Sequence, residues 1–245
     1  MPEDYFQFKQ FLVKQERSVF KVGTDGVLLG AWAGVKNVSS ILDVGTGTGL
    51  IALMLAQRTA AGVTGRAMHI VGLEIDKASF EQAIINVRDS PWNENIQVIN
   101  RPFQDYFETE KEMFDLIVSN PPFFRDSWKP GRKEKEISRH DTLLNQGELL
   151  SGVVKLLAPE GKFCVILPVE ESLKLQEMAV AGGLYLHGIC RVSPTLNLPA
   201  KRHLLEFGRD PASILQESEM AIERNARHEY TDAYRELTRE FYLAF

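Results

Sequence analysis

Apolar and polar positions alternate in two distinct rhythms along this chain, and the rhythms take turns from about residue 39 to residue 190. "SSILDVG" is a short apolar, β-branched run that predicts a strand, and "GLIALMLAQRTA" after it predicts an amphipathic or buried helix. "HIVGLEI" predicts a second strand, followed by a helix from about Lys77 to Asp89. "IQVINRPF" and "FDLIVSN" predict a third and a fourth strand. "LLNQGELLSGVVKLL" predicts a helix that stops at "APEGK", where Pro and Gly end it. "FCVILP" predicts a fifth strand, with a further helix through about Ala181. Regular alternation of this kind implies an α/β fold with a parallel sheet covered by helices on both faces.

Beyond residue 183 the rhythm changes. "LYLHGICRVSP" and "KRHLLEFGR" are β-rich and joined by the short connection "TLNLPA", so an antiparallel pair at the sheet edge is expected. The segment from Glu217 to Phe245 is charged with aromatics interleaved, and reads as helical before a final turn. Neither a repeat nor a linker marks a boundary, so residues 1–245 are read as one domain with residues 1–38 as an N-terminal extension.

Composition narrows the class. The 245 residues are 44% hydrophobic and 25% charged, as in ordinary globular proteins. No apolar run approaches the roughly 18 residues of a membrane helix, and the acids early in "MPEDYFQFKQF" are unlike a secretory signal. Cys164 and Cys190 lie far apart in apolar surroundings, which fits reduced, buried thiols and a cytoplasmic protein. The net charge of −5 gives no bulk attraction to nucleic acid. Between Arg125 and His140, however, Arg125, Lys129, Arg132, Lys133, Lys135 and Arg139 face only Asp126, Glu134 and Glu136, a local +3. That segment suits phosphate contacts, and equally suits a solvated charged loop.

Chemistry concentrates at the strand ends. In "LDVGTGTGL", Gly45, Gly47 and Gly49 follow the first strand and open the first helix, where α/β folds bind nucleotides. The dinucleotide fingerprint requires a further glycine where this chain has Leu50, so that match fails. Asp43, just before the loop, would repel a pyrophosphate but suits a cation such as S-adenosylmethionine, with its ammonium and sulfonium groups. Glu74 in "VGLEID" is placed to accept ribose hydroxyls, with Asp76 beside it as the alternative. Asp105, just past the third strand, could hydrogen-bond an adenine amine or cap a helix. The histidines show no metal-ligand spacing, and no metal is expected.

"SNPPFF" closes the fourth strand with Asn120, Pro121, Pro122 and Phe123. It resembles the Asn/Asp-Pro-Pro-aromatic motif of amino methyltransferases of the class I S-adenosylmethionine-dependent fold. That resemblance implies a mostly parallel seven-stranded Rossmann-like sheet with the antiparallel pair at its C-terminal edge. An exocyclic amine is a poor nucleophile because its lone pair is delocalised into the ring. The Asn120 side-chain carbonyl and the Pro121 backbone carbonyl could accept its two N–H bonds and aim the lone pair at a methyl group. The prolines fix those directions, and Phe123 offers a stacking face. The motif alone leaves open an adenine, a guanine of ribosomal RNA or a protein glutamine as acceptor.

A wider resemblance narrows the choice. "FKVGTDGVLLGAW", "SNPPFF", "SRHD", "RHLLEFGR" and "YRELTREFYLAF" together resemble the bacterial valine-tRNA N6-adenine methyltransferase family, over nearly the whole chain. The resemblance implies methylation of an adenine at tRNA position 37, beside the anticodon. It also implies that Lys21 to Leu28, with Lys21 and Thr24, covers the methionine end of the cofactor. Arg139 and His140 are then structural or RNA-contacting, since a methylated amine is acidic enough to need no general base. A DNA substrate is disfavoured for want of a separate target-recognition domain, and a monomer or weak homo-oligomer is expected. The rival from another class is an RNA-binding module without catalysis, which the intact loop, acid and clamp oppose.

Overall fold

Side chains from successive residues of the central strands enter two different cores, one on each face of a single sheet. Ile41, Leu116, Val118, Cys164, Ile166, Cys190, Val192 and Leu204 belong to one buried cluster. Their neighbours Leu42, Ile117, Phe163, Val165, Leu167, Ile189 and Leu205 belong to the other, the period-two consequence of the pleat. A computed structural model describes residues 4–18, 21–60, 68–121 and 144–245.

Within them the strands are β1 (Tyr5–Gln7), β2 (Leu12–Lys14), β3 (Ser40–Val44), β4 (His69–Glu74), β5 (Ile96–Asn100), β6 (Phe114–Ser119), β7 (Leu157–Pro168), β8 (Tyr185–Thr195), β9 (Arg202–Gly208) and β10 (Gln216–Glu223). The helices are α1 (Thr24–Trp32), α2 (Leu50–Ala60), α3 (Lys77–Arg88), α4 (Phe103–Thr109), α5 (Gln146–Leu156), α6 (Val169–Ala181) and α7 (Asp232–Thr238).

The large sheet runs β10-β8-β9-β7-β6-β3-β4-β5. From β3 the chain steps outward through β4 to β5, then returns to lay β6 and β7 on the other side of β3, each pairing parallel. The reversal leaves a crevice at the carboxyl ends of β3 and β6, the place where such sheets receive ligands. α1, α2, α3 and α7 fill one face, while α4, α5 and α6 fill the other. α5 starts at a reciprocal capping box between Asn145 and Glu148, which fixes the chain's entry into it.

β8 and β9 pair antiparallel, as the sequence pattern implies. The edge departs from expectation. Among the described residues the sheet has eight strands rather than seven, because Gln216–Glu223 pairs parallel to β8 within a segment read as helical. Only Met220 in that strand is buried, so the apolar alternation that marks inner strands is missing, and charges guard an edge strand against unwanted pairing. Helical structure in the segment is confined to α7. Cys164 and Cys190 are both buried and free, as expected.

The N-terminal extension forms the β1–β2 hairpin, which docks against the C-terminal residues. Phe8 stacks on Phe11 and Tyr242, with ring centroids 4.7 and 5.9 Å apart, and Phe6 meets Tyr242 edge-on. Lys9 donates its backbone amide to Phe241 O and its ammonium to Arg239 O and Phe245 O.

Candidate cofactor and substrate site

The turn after β3 doubles back on β4. Gly45 and Thr46 both give their amides to Leu73 O, at 3.0 and 2.9 Å, and Gly49 gives its amide to Thr46 O. Gly47 gives its amide to Glu74 Oε2 at 2.8 Å. Gly45, Gly47 and Gly49 have φ of +75°, +59° and +83°, the left-handed region that side chains with a Cβ disfavour. A methyl group added at Gly45 or Gly47 would meet nothing within 4 Å, so the turn borders open space. At Gly49 it would rest on Ala83 and Val87 of α3.

Two buried carboxyls stand behind this space. Asp43 is fully buried; its Oδ2 accepts the Thr46 hydroxyl at 2.6 Å, while Oδ1 has no hydrogen-bond partner among the described residues. Burial pushes the Asp43 carboxyl up to about 7, against the opposing pull of the Thr46 hydroxyl and the Ala52 amide. Glu74 is also raised by burial, opposed by the amides of Asp76 and Gly47. Glu74 Oε1 accepts the Asp76 amide at 2.8 Å, and Asp76 itself is spent as the N-cap of α3, accepting from Ser79 N. Between the two acids at the end of β4, Glu74 is therefore the one turned toward the loop. An orphaned carboxyl oxygen beside an uncluttered glycine turn fits a cationic ligand with a ribose diol, and Asp43, Gly45, Gly47 and Glu74 would hold S-adenosylmethionine here.

Asn120 follows β6 next to the same turn. Val44 and Ser119 are the last register pair of β3 and β6, and Ser119 Oγ donates to Val44 O at 2.9 Å. Gly45 and Asn120 thus leave neighbouring strands side by side. Asn120 is half-buried, Pro121 is buried, and Asn120 Nδ2 lies 3.9 Å from where a Cβ on Gly26 of α1 would stand. Pro122, Phe123, Arg125, Lys129, Arg132, Lys133, Lys135, Arg139 and His140 lie outside the described residues.

The remaining candidates scatter. Thr24 is the exposed first residue of α1, and Lys21 is exposed, its ammonium donating to Gln15 O. Asp25 next to Thr24 pairs with Arg202 at 2.8 Å, tying α1 to the start of β9. Asp105 is exposed in the first turn of α4, whose N-cap is Pro102, so the capping role considered for it is not the one it has. Sequence reasoning missed Ser79, Gln82 and Asn86, three buried polar side chains of α3 that touch residues 14–18. Their positions i, i+3 and i+7 put them on one helix face, and that spacing was the available signal.

Comparison with known proteins agrees with this geometry. The family model described as a methyltransferase domain matches residues 36–224. A tRNA1(Val) (adenine(37)-N6)-methyltransferase of Bacteroides fragilis is 43% identical, with 99% of each chain covered. Its counterpart from Trichodesmium erythraeum is 42% identical over 100% of both chains. Among solved structures, a predicted O-methyltransferase from Agrobacterium tumefaciens shares the fold, with a TM-score of 0.64 at 15% identity over 89% of this chain and 96% of that one. A ribosomal protein L11 methylase from Lactobacillus delbrueckii follows with a TM-score of 0.56 at 17% identity, covering 81% and 84%. By its full-length similarity, this chain belongs to the tRNA1(Val) (adenine(37)-N6)-methyltransferase family.

Proposed function

We propose that this protein methylates the N6 amine of adenine 37 in tRNA1(Val). The observation that carries the reading is the placement of Asn120 beside Gly45, which brings an amide side chain to the edge of the cofactor turn. The relatives' shared name supplies the substrate. Bound S-adenosylmethionine provides an electrophilic methyl group on its sulfonium sulfur.

The chain's own residues do the rest. Asn120 Oδ1 and the Pro121 carbonyl accept the two N–H bonds of the adenine amine, which turns its lone pair toward the methyl. Pro121 has a locked φ and, preceding a second proline, a restricted ψ, so its carbonyl is aimed before the substrate arrives. Once alkylated, the nitrogen is acidic enough to release a proton to water, and no general base is required. Phe123 supplies a ring for the extruded base to stack on, a role resting on sequence alone. Lys129, Arg132, Lys133 and their neighbours meet the tRNA phosphates. Asp43 faces the ammonium, Glu74 the ribose, and Asp105 the adenine end of the cofactor, while Lys21 and Thr24 belong to the N-terminal cover over its methionine end. We read residues 1–245 as one domain acting in the cytoplasm as a monomer or weak homo-oligomer, on RNA and not DNA.

Methylation of an unmodified tRNA1(Val) transcript, followed by nucleoside mass spectrometry, tests the reading. N6-methyladenosine at position 37 is the expected product. Label in ribosomal-RNA guanine or in a protein glutamine, with none in the tRNA, would overturn it.

A further inference from the structure

Asn86 joins two segments that are far apart in sequence. It sits in α3 at 2% exposure, and its carboxamide is shared between the end of β2 and the glycine turn. Oδ1 accepts the Lys14 amide at 2.9 Å. Nδ2 donates to Lys14 O at 2.9 Å and to Thr48 O at 2.8 Å. Thr48 stands between Gly47 and Gly49, at the head of α2. Both amide hydrogens are therefore used, and each serves a different segment.

The surroundings make this a support for the turn rather than an isolated bond. A Cβ added at Gly49 would meet Ala83 and Val87 within 4 Å, so α3 lies close beneath the turn while Asn86 holds the Thr48 carbonyl. Farther along the same face, Gln82 Oε1 accepts the Arg17 amide at 3.1 Å, and the Ser79 and Ser18 hydroxyls lie 3.0 Å apart. These fasten residues 17 and 18 but make no bond to the glycine turn. Among the described residues, Asn86 alone bonds both.

We propose that Asn86 is a positioning residue that couples docking of the N-terminal segment to the cofactor-binding shape of the glycine turn. Holding Thr48 O fixes the Thr48–Gly49 peptide, one residue past Gly47, whose amide meets Glu74. Holding both backbone groups of Lys14 fixes the strand that leads into residues 15–18. Because the coupling is a free energy, it runs both ways: a filled cofactor site tightens the N-terminal segment, and a loosened segment weakens the site.

The test uses the full chain and S-adenosylhomocysteine, so it does not depend on which RNA is methylated. Binding is measured by calorimetry, and tryptic cleavage after Lys14 and Arg17 is followed with and without the ligand, below the unfolding temperature of each variant. Asn86→Ala is expected to weaken binding about tenfold, the equivalent of one net hydrogen bond, and to abolish ligand-induced protection of both cleavage sites. Gln82→Ala, which removes a buried bond to the segment but none to the turn, is expected to speed cleavage after Arg17 while binding stays within about threefold of the parent. Should Asn86→Ala fail to fold, Asn86→Asp keeps the shape and the acceptor for the Lys14 amide but loses donation to Lys14 O and Thr48 O, and weaker binding is again expected. Equal losses of affinity in the Asn86 and Gln82 variants, or full ligand protection in Asn86→Ala, would overturn the coupling.

Discussion

Gly47 hands its backbone amide to Glu74 at 2.8 Å, fastening the middle of the glycine turn to the carboxyl end of the neighbouring strand. Glu74 accepts a second amide from Asp76 and still has lone pairs to offer a ribose, since a carboxylate has about four acceptor positions. One side chain thus shapes the turn and would also receive the cofactor.

Gly47→Val attacks both halves of that arrangement. Left-handed backbone disfavours a residue with a Cβ by about 1–2 kcal/mol, and a valine would project into the open space beside the turn. The expected result is a soluble protein with native circular dichroism and no calorimetric heat on adding S-adenosylmethionine. Unchanged cofactor affinity would remove the glycine turn from the site.

If Asp43 receives the cofactor's cation, affinity should depend on pH. Its carboxyl stands near 7 in the folded protein against 3.8 ordinarily, because burial penalises the charge. In cofactor-free protein the protonated form therefore contributes stability that is fully present below 3.8 and lost as pH rises through 7. Binding a cation has the opposite demand, since only the ionised carboxylate attracts it. Affinity for S-adenosylmethionine is expected to fall below pH 7, by up to about tenfold per unit, and Asp43→Asn should flatten the profile. Titrations across that range read both effects.

Asn120→Ala separates binding from chemistry. Removing a positioned transition-state hydrogen bond costs about 2.7–4 kcal/mol, or roughly 10²–10³ in rate. Single-turnover methylation of the tRNA transcript should slow by that factor while cofactor affinity stays near the parental value. A parental rate would reduce Asn120-Pro121-Pro122 to a stiff turn.

If the basic segment after Asn120-Pro121-Pro122-Phe123 meets phosphates, tRNA binding should carry a salt signature. Replacing Lys129, Arg132 and Lys133 together by Ala should weaken tRNA binding and flatten its dependence on salt, by about 0.7–0.9 log unit for each phosphate no longer neutralised. Fluorescence anisotropy over a salt series measures the slope. An unaltered slope would mean that the segment is only solvated charge.

Legibility in the sequence followed burial. The inner strands, buried on both faces, announced themselves as apolar runs, and the glycine turn stood out because its backbone needs glycine. β10 was hidden because an exposed edge strand needs no apolar alternation: Gln216, Glu217, Ser218 and Glu219 are all exposed. Ser79, Gln82 and Asn86 were hidden for the opposite reason. They resemble the solvent face of an amphipathic helix, yet the N-terminal segment covers that face and takes up their hydrogen bonds. A polar stripe can thus be an interface for backbone, and composition does not distinguish it from one meant for water.

The aromatic dock between the β1–β2 hairpin and the residues after α7 bears on the order of events during synthesis. Phe8 and Lys9 are synthesised well before their partners Phe241, Tyr242 and Phe245, which are more than 230 positions downstream. Until those arrive, Phe6 and Phe8 have no Tyr242 to cover them, and the hairpin leans on α3 and, through Phe11, on Trp92. The central sheet can assemble on the growing chain, whereas the N-terminal cover closes late, as loop-closure entropy dictates for segments so distant in sequence. A nascent chain stalled before α7 would therefore carry a finished glycine turn while the hairpin end at Lys14, held through Asn86, is still insecure, so binding competence would wait for α7 and the aromatic residues after it.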